Sequence, residues 1–199
     1  MKTIRTCLLV ALLATAWTGA HSQAPAVGRV LVANPAIDDP NFSESVLMIV
    51  FHDENIGTAG VFLNRPTWVD PAETFPDIGG LAGYDGALYL GGPVAPTELW
   101  TLLELGNRPI EGAQPIAGPI YVSLDPEVLR DIDFTANDTP RVRVYAGRAE
   151  WGPGQLAEEI AEGDWRLVSA RPEDVFAEDP QGLWQRMPLV GDGVIASLN

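Results

Sequence analysis

The stretch VLMIVFHDENIGTAGVFL, residues 46–63, joins two apolar runs through a short polar segment. Residues 46–51 are apolar without interruption, which is typical of a strand that is buried on both faces. The polar residues 52–57 end in a glycine, and residues 59–63 are mostly apolar again. A strand, a short polar loop with a glycine and a second strand predict a β-hairpin.

Further strands and short helices are predicted around this hairpin. The strands are expected at residues 29–33, 88–90, 98–103, 120–123, 141–145 and 165–168. Helices are expected from Asp125 to residue 132, from Pro153 to Gly163, near 172–174 and near 183–187. The apolar face of the second helix is expected to contain Leu156, Ala157, Ile160 and Ala161. Residues 107–119, rich in glycine and proline, predict a long surface loop. Strands that cluster early and short helices that come late favour an α+β fold with a mixed sheet.

The first 22 residues are typical of a secretory signal peptide. Lys2 and Arg5 give a positive start, residues 8–16 form a short apolar stretch, and small residues follow. The apolar stretch is shorter than the roughly 20 residues that span a bilayer. Cleavage after Ala20 or after Ser22 fits the pattern equally well. We therefore expect export to the periplasm or beyond, which leaves residues 23–199 as a single domain without a membrane span.

Charge and cysteine content narrow the classes of function. The chain has 12 Lys and Arg against 27 Asp and Glu, and Lys2 and Arg5 both lie in the expected signal peptide. The mature chain then keeps ten basic residues, a net charge of about −17 that repels nucleic acid and anionic lipid. Cys7 is the one cysteine, so disulfides and thiolate chemistry are excluded from residues 23–199.

The segment at His52 contains the residues that could do acid–base or metal chemistry. Asp53 and Glu54 follow it, but successive side chains of an extended chain point to opposite faces and converge poorly on one ion. The other histidine, His21, lies in or beside the signal peptide. We predict a hydrogen-bonded structural role for His52, no metal site, no cofactor and no catalytic residue. An exported hydrolase that uses His52 or a carboxylate stays open as an alternative.

The stretch LYLGGPV, residues 88–94, raises the question of a phosphate-binding loop. Its spacing matches neither of the common phosphate-binding motifs, and Pro93 has no backbone N–H to donate. Gly91 and Gly92 instead favour a turn at which two backbones approach closely, or the wall of a pocket.

Two further positions carry groups suited to binding. Arg65, after Asn64, could bind an acidic ligand with two parallel hydrogen bonds, although an ion pair with one of the many carboxylates is favoured. Trp151 directly precedes the helix that is expected from Pro153. It is expected to pack over the start of that helix, and an anion site at the helix N-terminus is the alternative.

Three separated stretches resemble the YqgE/AlgH family of bacterial proteins. They are LVANPAIDDPNFSESVLMIVFHDENIGTAGVFLNRP at residues 31–66, YLGGPV at 89–94 and YAGRAEWGPGQLAEEIAEGDW at 145–165, with a weaker match through Trp184. The resemblance implies one α+β domain with a branched, partly barrel-like sheet flanked by helices. It implies no established reaction, and one branch is described as a transcription-related regulator of alginate production. The chain departs from the family pattern in its export signal and in TELWTLLE, residues 97–104, which lacks a histidine that often follows GGPV.

The resemblance and the residues together predict a non-catalytic periplasmic binding or regulatory protein. It would act through a protein partner or a small ligand. The resembling motifs cluster around five residues that form the expected binding site: Asn64, Arg65, Gly91, Gly92 and Trp151. If residues 1–22 are not a signal peptide, a cytosolic transcription-related regulator is the alternative.

Overall fold

The computed structural model describes residues 24–106, 108–136 and 139–187. The expected signal peptide lies outside them. The strands are β1 (Arg29–Ala33), β2 (Val46–Asp53), β3 (Gly57–Phe62), β4 (Leu88–Leu90), β5 (Val94–Glu104), β6 (Gln114–Ala117), β7 (Ile120–Ser123), β8 (Val142–Trp151) and β9 (Trp165–Ser169). The helices are α1 (Pro71–Thr74), α2 (Gln155–Glu162), α3 (Pro172–Val175) and α4 (Leu183–Arg186), with 3-10 helices η1 (Gly79–Gly83) and η2 (Pro126–Asp131). None of these helices is long and apolar enough to cross a membrane.

The strands form one sheet that branches at β8. Along the main path the order is β6-β7-β5-β8-β3-β2-β1-β9. One edge of β8 pairs with β5, and the other edge pairs first with β4 at residues 144–146 and then with β3 at residues 149–151. The β4–β8 pair is parallel, whereas the other pairs are antiparallel. The predicted α+β fold with a mixed, mostly antiparallel and branched sheet is confirmed.

The sheet curls until its two ends approach each other. Gly28, just before β1, lies so close to β6 that a Cβ atom on it would be 2.0 Å from the carbonyl oxygen of Ile116. The result is a half-barrel, which confirms the barrel-like sheet that the family resemblance implies.

Both faces of the first strands are buried. Val30 and Met48 pack inside the curl, whereas Leu31 and Leu47 pack outside it against α2 and the turn before β2. Residues 46–50 are all buried, so the strand predicted to be buried on both faces is confirmed, as is its hairpin with β3.

Some element bounds differ from the sequence prediction. The loop predicted at 107–119 contains β6, because residues 114–117 pair with β7 as an edge strand, where Pro115 is tolerated. Strand β8 continues six residues beyond the predicted end at residue 145, since β3 and β5 supply partners for a segment with no strand pattern of its own. In α2, Leu156 is buried, but Ala157 and Ala161 are exposed and do not belong to its apolar face. The helix predicted from Asp125 is the 3-10 helix η2.

Candidate functional site

The two glycines of the GGPV stretch mark the point where the chain crosses over β8. Before them β4 lies along one edge of β8, and after them Val94 pairs with Arg148 on the edge that β5 occupies. A Cβ atom at Gly92 would lie 2.0 Å from the carbonyl carbon of Arg148, and one at Gly91 would lie 2.1 Å from the carbonyl oxygen of Gly147. Both obstacles are backbone, which cannot move aside. The prediction of a turn at which two backbones meet is therefore confirmed.

Asn64 and Arg65 hold the turn that precedes β2. The Asn64 amide donates to the carbonyl of Glu44 at 2.9 Å, and its oxygen accepts the N–H of Val46 at 3.0 Å. Glu44 has a φ of 51°, a conformation that is unfavourable for a residue with a side chain. The amide of Asn64 thus stabilises a strained turn through two hydrogen bonds.

The Arg65 guanidinium lies on an aromatic ring. Its central carbon is 4.3 Å from the centroid of Phe62, and one nitrogen donates to the carbonyl of Ser43 at 3.4 Å. Burial lowers the pKa of Arg65, and the nearby charge of Asp39 opposes that shift. Among the described carboxylates none forms an ion pair with Arg65, so the favoured ion pair was wrong. The planar guanidinium stacks on a ring instead.

A second guanidinium, that of Arg143, is buried next to the end of β3. It donates to the carbonyl oxygens of Leu63, at 3.1 Å, and Ala177, and it lies 4.7 Å from the ring centroid of Tyr89. Burial raises the pKa of the neighbouring Tyr145 hydroxyl. Arg143 therefore joins the end of β3, β4 and the segment after α3.

Trp151 and Trp165 are bridged by one carboxylate. The Glu159 Oε2 atom accepts the indole N–H of Trp151 and that of Trp165, each at 2.8 Å. The two indoles meet edge to face with centroids 6.0 Å apart, and Phe42 packs against both. Since Glu159 lies on α2 while the tryptophans end β8 and begin β9, this two-indole bridge fixes the helix to the sheet. The packing role predicted for Trp151 is confirmed, and the anion site at the helix start stays a prediction.

The five predicted residues are brought together only in part. Asn64, Arg65, Gly91 and Gly92 are neighbours, because the N–H of Leu90 donates to the carbonyl of Arg65 at 3.0 Å. Trp151 is 5% exposed, and a series of ring contacts through Phe42 and Phe62 connects it to Arg65. Their role in binding a ligand stays a prediction.

His52 has a partner within the hairpin. Its Nδ1 atom lies 2.8 Å from the hydroxyl of Thr58 on β3, which confirms the hydrogen-bonded role predicted for it. Within the described ranges no group of three or more His, Cys, Asp or Glu residues is arranged to hold a metal ion.

Trp68 is a candidate that the sequence analysis missed. Its side chain is 99% exposed, although the loop that carries it is fixed. Thr67 donates both its N–H, at 2.9 Å, and its hydroxyl, at 2.6 Å, to the carbonyl of Leu88, and Val69 accepts the N–H of Leu88 at 3.2 Å. The signal that could have found Trp68 is its position in residues 66–86, where no element long enough to bury a large ring is predicted.

The loop faces a second loop across a shallow cavity. The cavity has a volume of about 270 Å³ and is lined by residues 67–70 and 84–87; we call this surface the Trp68 face. Val69 is also exposed there, and Asp70 and Asp85 contribute carboxylates. The Trp68 face therefore combines apolar and acidic groups.

The whole fold matches known proteins. The family model described as AlgH-like (DUF179) matches residues 30–189. A UPF0301 protein of Streptomyces avermitilis is 38% identical over 169 residues, covering 80% of this chain and 83% of the relative. A UPF0301 protein of Mycobacterium tuberculosis is 36% identical over 173 residues, covering 81% and 82%.

Solved structures show the same architecture. A crystal structure of a Corynebacterium diphtheriae protein superposes with a TM-score of 0.68 at 30% identity, covering 83% of this chain and 89% of that one. The solution structure of the AlgH protein from Pseudomonas aeruginosa gives a TM-score of 0.60 at 22% identity, covering 83% and 93%, and shows likeness of fold. On the family match and the identities to its relatives, the chain belongs to the AlgH-like family.

Proposed function

We propose that this protein is a non-catalytic, exported binding protein that recognises a protein partner through its Trp68 face. The observation that carries the proposal is an indole that is 99% exposed on a loop held by hydrogen bonds. Tryptophan is enriched among the residues that dominate binding energy at protein interfaces. A fixed loop also costs little entropy when a partner docks.

The test begins with the partner in the native host. A photo-crosslinking amino acid at position 69 captures proteins that contact the Trp68 face, and mass spectrometry identifies them. The purified partner is then titrated against the wild type, Trp68→Ala and Ile56→Ala. Ile56 is the matched control, because it is 70% exposed on the turn between β2 and β3.

We expect Trp68→Ala to weaken binding at least tenfold, as truncation of a central aromatic residue does. Ile56→Ala should change the dissociation constant less than twofold. Equal affinity of the wild type and Trp68→Ala for every captured protein would overturn the proposal.

Export is the second part of the proposal. It rests on the pattern of residues 1–22, with a basic start, a short apolar stretch and small residues. A C-terminally tagged protein should appear in the periplasmic fraction with the mass left by cleavage after Ala20 or Ser22. A full-length protein in the cytosol would favour the cytosolic regulator instead.

The second candidate function is binding of a small acidic ligand beside Asn64 and Arg65, a surface that we call the Asn64–Arg65 corner. It is favoured by the half-buried Arg65 guanidinium, which makes no ion pair with a described carboxylate. Acetate, succinate and inorganic phosphate are the probes, and each is tested for an increase in melting temperature. An increase that persists in Arg65→Ala but is lost in Arg186→Ala, whose guanidinium pairs with Asp179, would remove the corner as the site.

A further inference from the structure

The Trp68 face lies in a segment that carries only one sign of charge. Residues 66–107 contain no Lys, Arg or His. Their acidic residues are Asp70, Glu73, Asp77, Asp85, Glu98 and Glu104. A partner that docks here meets negative charge without a compensating cation from the same segment.

The two carboxylates of the Trp68 face differ in how far they are engaged. Asp70 caps α1, because its Oδ1 atom accepts the N–H of Ala72 at 2.8 Å. Asp85 is exposed and makes no hydrogen bond or ion pair with any residue in the described part of the chain. Asp85 therefore keeps its full capacity to accept hydrogen bonds from a partner.

Elsewhere in this molecule, three buried rings are covered by guanidinium groups of the chain itself. Arg65 lies over Phe62, Arg141 over Phe176 and Arg143 over Tyr89, with carbon-to-centroid distances of 4.3, 5.2 and 4.7 Å. Trp68, with the ring type that binds cations best, has no such cover among the described residues.

We propose that the partner presents a basic, arginine-bearing protein segment whose guanidinium stacks on Trp68 and pairs with Asp85. This inference rests on the proposed function and adds the chemistry of the partner. Arginine fits better than lysine, because its planar group both stacks on an indole and bonds a carboxylate through two N–H groups. A second copy that docked through its own Trp68 face would place Asp70 and Asp85 against like charges, and an anionic lipid surface would be repelled.

The test uses defined peptides with the mature protein. The probe is a nine-residue glycine peptide that carries three arginines, and its counterparts carry three lysines or three glutamines. Binding is followed by the ¹⁵N-indole signal of Trp68, which is assigned by its loss in Trp68→Phe. The variants are Trp68→Ala, Asp85→Asn and, as a matched control, Glu178→Gln, since Glu178 is exposed on a different part of the chain.

We expect the arginine peptide to shift the Trp68 signal and to bind at least threefold more tightly than the lysine peptide. The glutamine peptide should not bind measurably. Trp68→Ala, read by isothermal titration, and Asp85→Asn should each weaken the arginine peptide at least threefold, whereas Glu178→Gln should leave its affinity unchanged. Raising the salt concentration from 50 to 300 mM should weaken binding.

Other outcomes separate this inference from the proposed function. Binding of the arginine peptide that leaves the Trp68 signal in place, or that is equally weakened by Glu178→Gln, would reflect net charge alone and overturn the inference. If the captured partner needs Trp68 but is indifferent to Asp85→Asn, the proposed function stands and the basic segment is wrong. Dimerisation that is lost in Trp68→Ala would make a second copy the occupant and overturn the inference.

Discussion

Three tryptophans in the described part of the chain occupy two opposite environments. Trp151 and Trp165 are 5% and 4% exposed, and the carboxylate of Glu159 accepts both of their indole N–H groups. Trp68 is 99% exposed on a loop whose residues Thr67 and Val69 form hydrogen bonds with Leu88. The first pair lies in one of the three stretches whose sequence resembles the family most clearly, residues 145–165, whereas Trp68 lies between the other two.

The contrast shows what the family motifs encode. Asn64, in the first stretch, stabilises the strained turn before β2. Gly91 and Gly92, in the GGPV stretch, let two backbones cross. Residues 151–155 lead into α2, the helix of the two-indole bridge. Each of these features is a requirement of the fold. An exposed indole does not stabilise the fold, so the Trp68 face is the stronger candidate for a role in recognition.

The largest effect is expected at the crossing of the two backbones. Gly92→Ala places a Cβ atom 2.0 Å from the carbonyl carbon of Arg148 and 2.2 Å from the amide nitrogen of Ala149. Because neither obstacle is a side chain that can turn away, the sheet must distort. We expect a loss of at least about 3 kcal/mol in the free energy of unfolding, or failure to fold. Urea denaturation of residues 23–199 measures it.

Gly152→Ala is the control for that experiment. The nearest atom to a Cβ there is the Gln155 side-chain oxygen at 3.8 Å, so the free energy of unfolding should change by less than about 1 kcal/mol. Similar stability of the two variants would mean that the crossing is not as tight as the structure has it, and that the GGPV stretch serves something other than the fold.

The two-indole bridge should give the next largest effect. Glu159→Ala leaves two buried indole N–H groups without an acceptor, and each unpaired donor costs about 1–3 kcal/mol. We expect a loss of about 2–4 kcal/mol in thermal or urea denaturation.

Two companion variants sharpen that result. Glu159→Gln keeps one carbonyl oxygen that can accept both indoles and should recover at least half of the loss. Glu158→Ala changes an exposed neighbour on the same helix and should cost less than about 0.5 kcal/mol. If Glu159→Ala is as mild as Glu158→Ala, the bridge does not hold α2 to the sheet.

The sequence was sufficient to predict most of the sheet. Runs such as residues 46–51 and 29–33 have a pattern of their own, and the structure places strands there. The pattern failed where tertiary pairing decides: AGRAEW, residues 146–151, became strand only because β3 and β5 border it. The glycines of residues 88–94 predicted that two backbones approach closely near Gly92. The sequence could not show that the second backbone is that of Arg148, 56 positions later.

The candidate site was harder to predict for a related reason. The sequence shows which residues match a family, and those matches drew attention to Asn64, Arg65 and Trp151. It does not show which large side chain remains uncovered, because that depends on how all the other elements pack. Trp68 could be recognised only once β4 and its neighbouring loop were placed.

A smaller effect on stability is expected for the ion pair between Glu127 and Arg130, which supports the Trp68 face. The Glu127 carboxylate bonds Arg130 and accepts the N–H of Gly79, at the start of η1, which leads to Tyr84 in the Trp68 face. The hydrogen bond from Arg130 is the main cause that lowers the pKa of Glu127 below its ordinary value of 4.5. A lowered pKa means that the folded state binds the proton less readily than the unfolded state. The stabilisation is therefore complete well above pH 4.5 and is lost as the pH falls through the lowered value.

Glu127→Gln tests this dependence on pH. The variant should melt slightly below the wild type at pH 7, and the difference should vanish at acidic pH, where the wild-type carboxyl is protonated. The difference should be small because the pair is exposed. A difference that grows as the pH falls would contradict the sign of the shift.

The smallest effect on stability is expected for substitution of Trp68 itself. The comparison between the buried and the exposed tryptophans depends on this effect being small. Trp68→Ala removes a side chain that is 99% exposed, while the hydrogen bonds of Thr67 and Val69 to Leu88 all come from groups that the substitution leaves in place. The free energy of unfolding should therefore change by less than about 0.5 kcal/mol. A loss comparable to that of Glu159→Ala would mean that Trp68 packs against something in solution, and the contrast between buried and exposed tryptophans would disappear. If the stability of the fold does not depend on Trp68, any loss of partner binding in this variant is caused by the changed surface, because the loop that presents the surface remains intact.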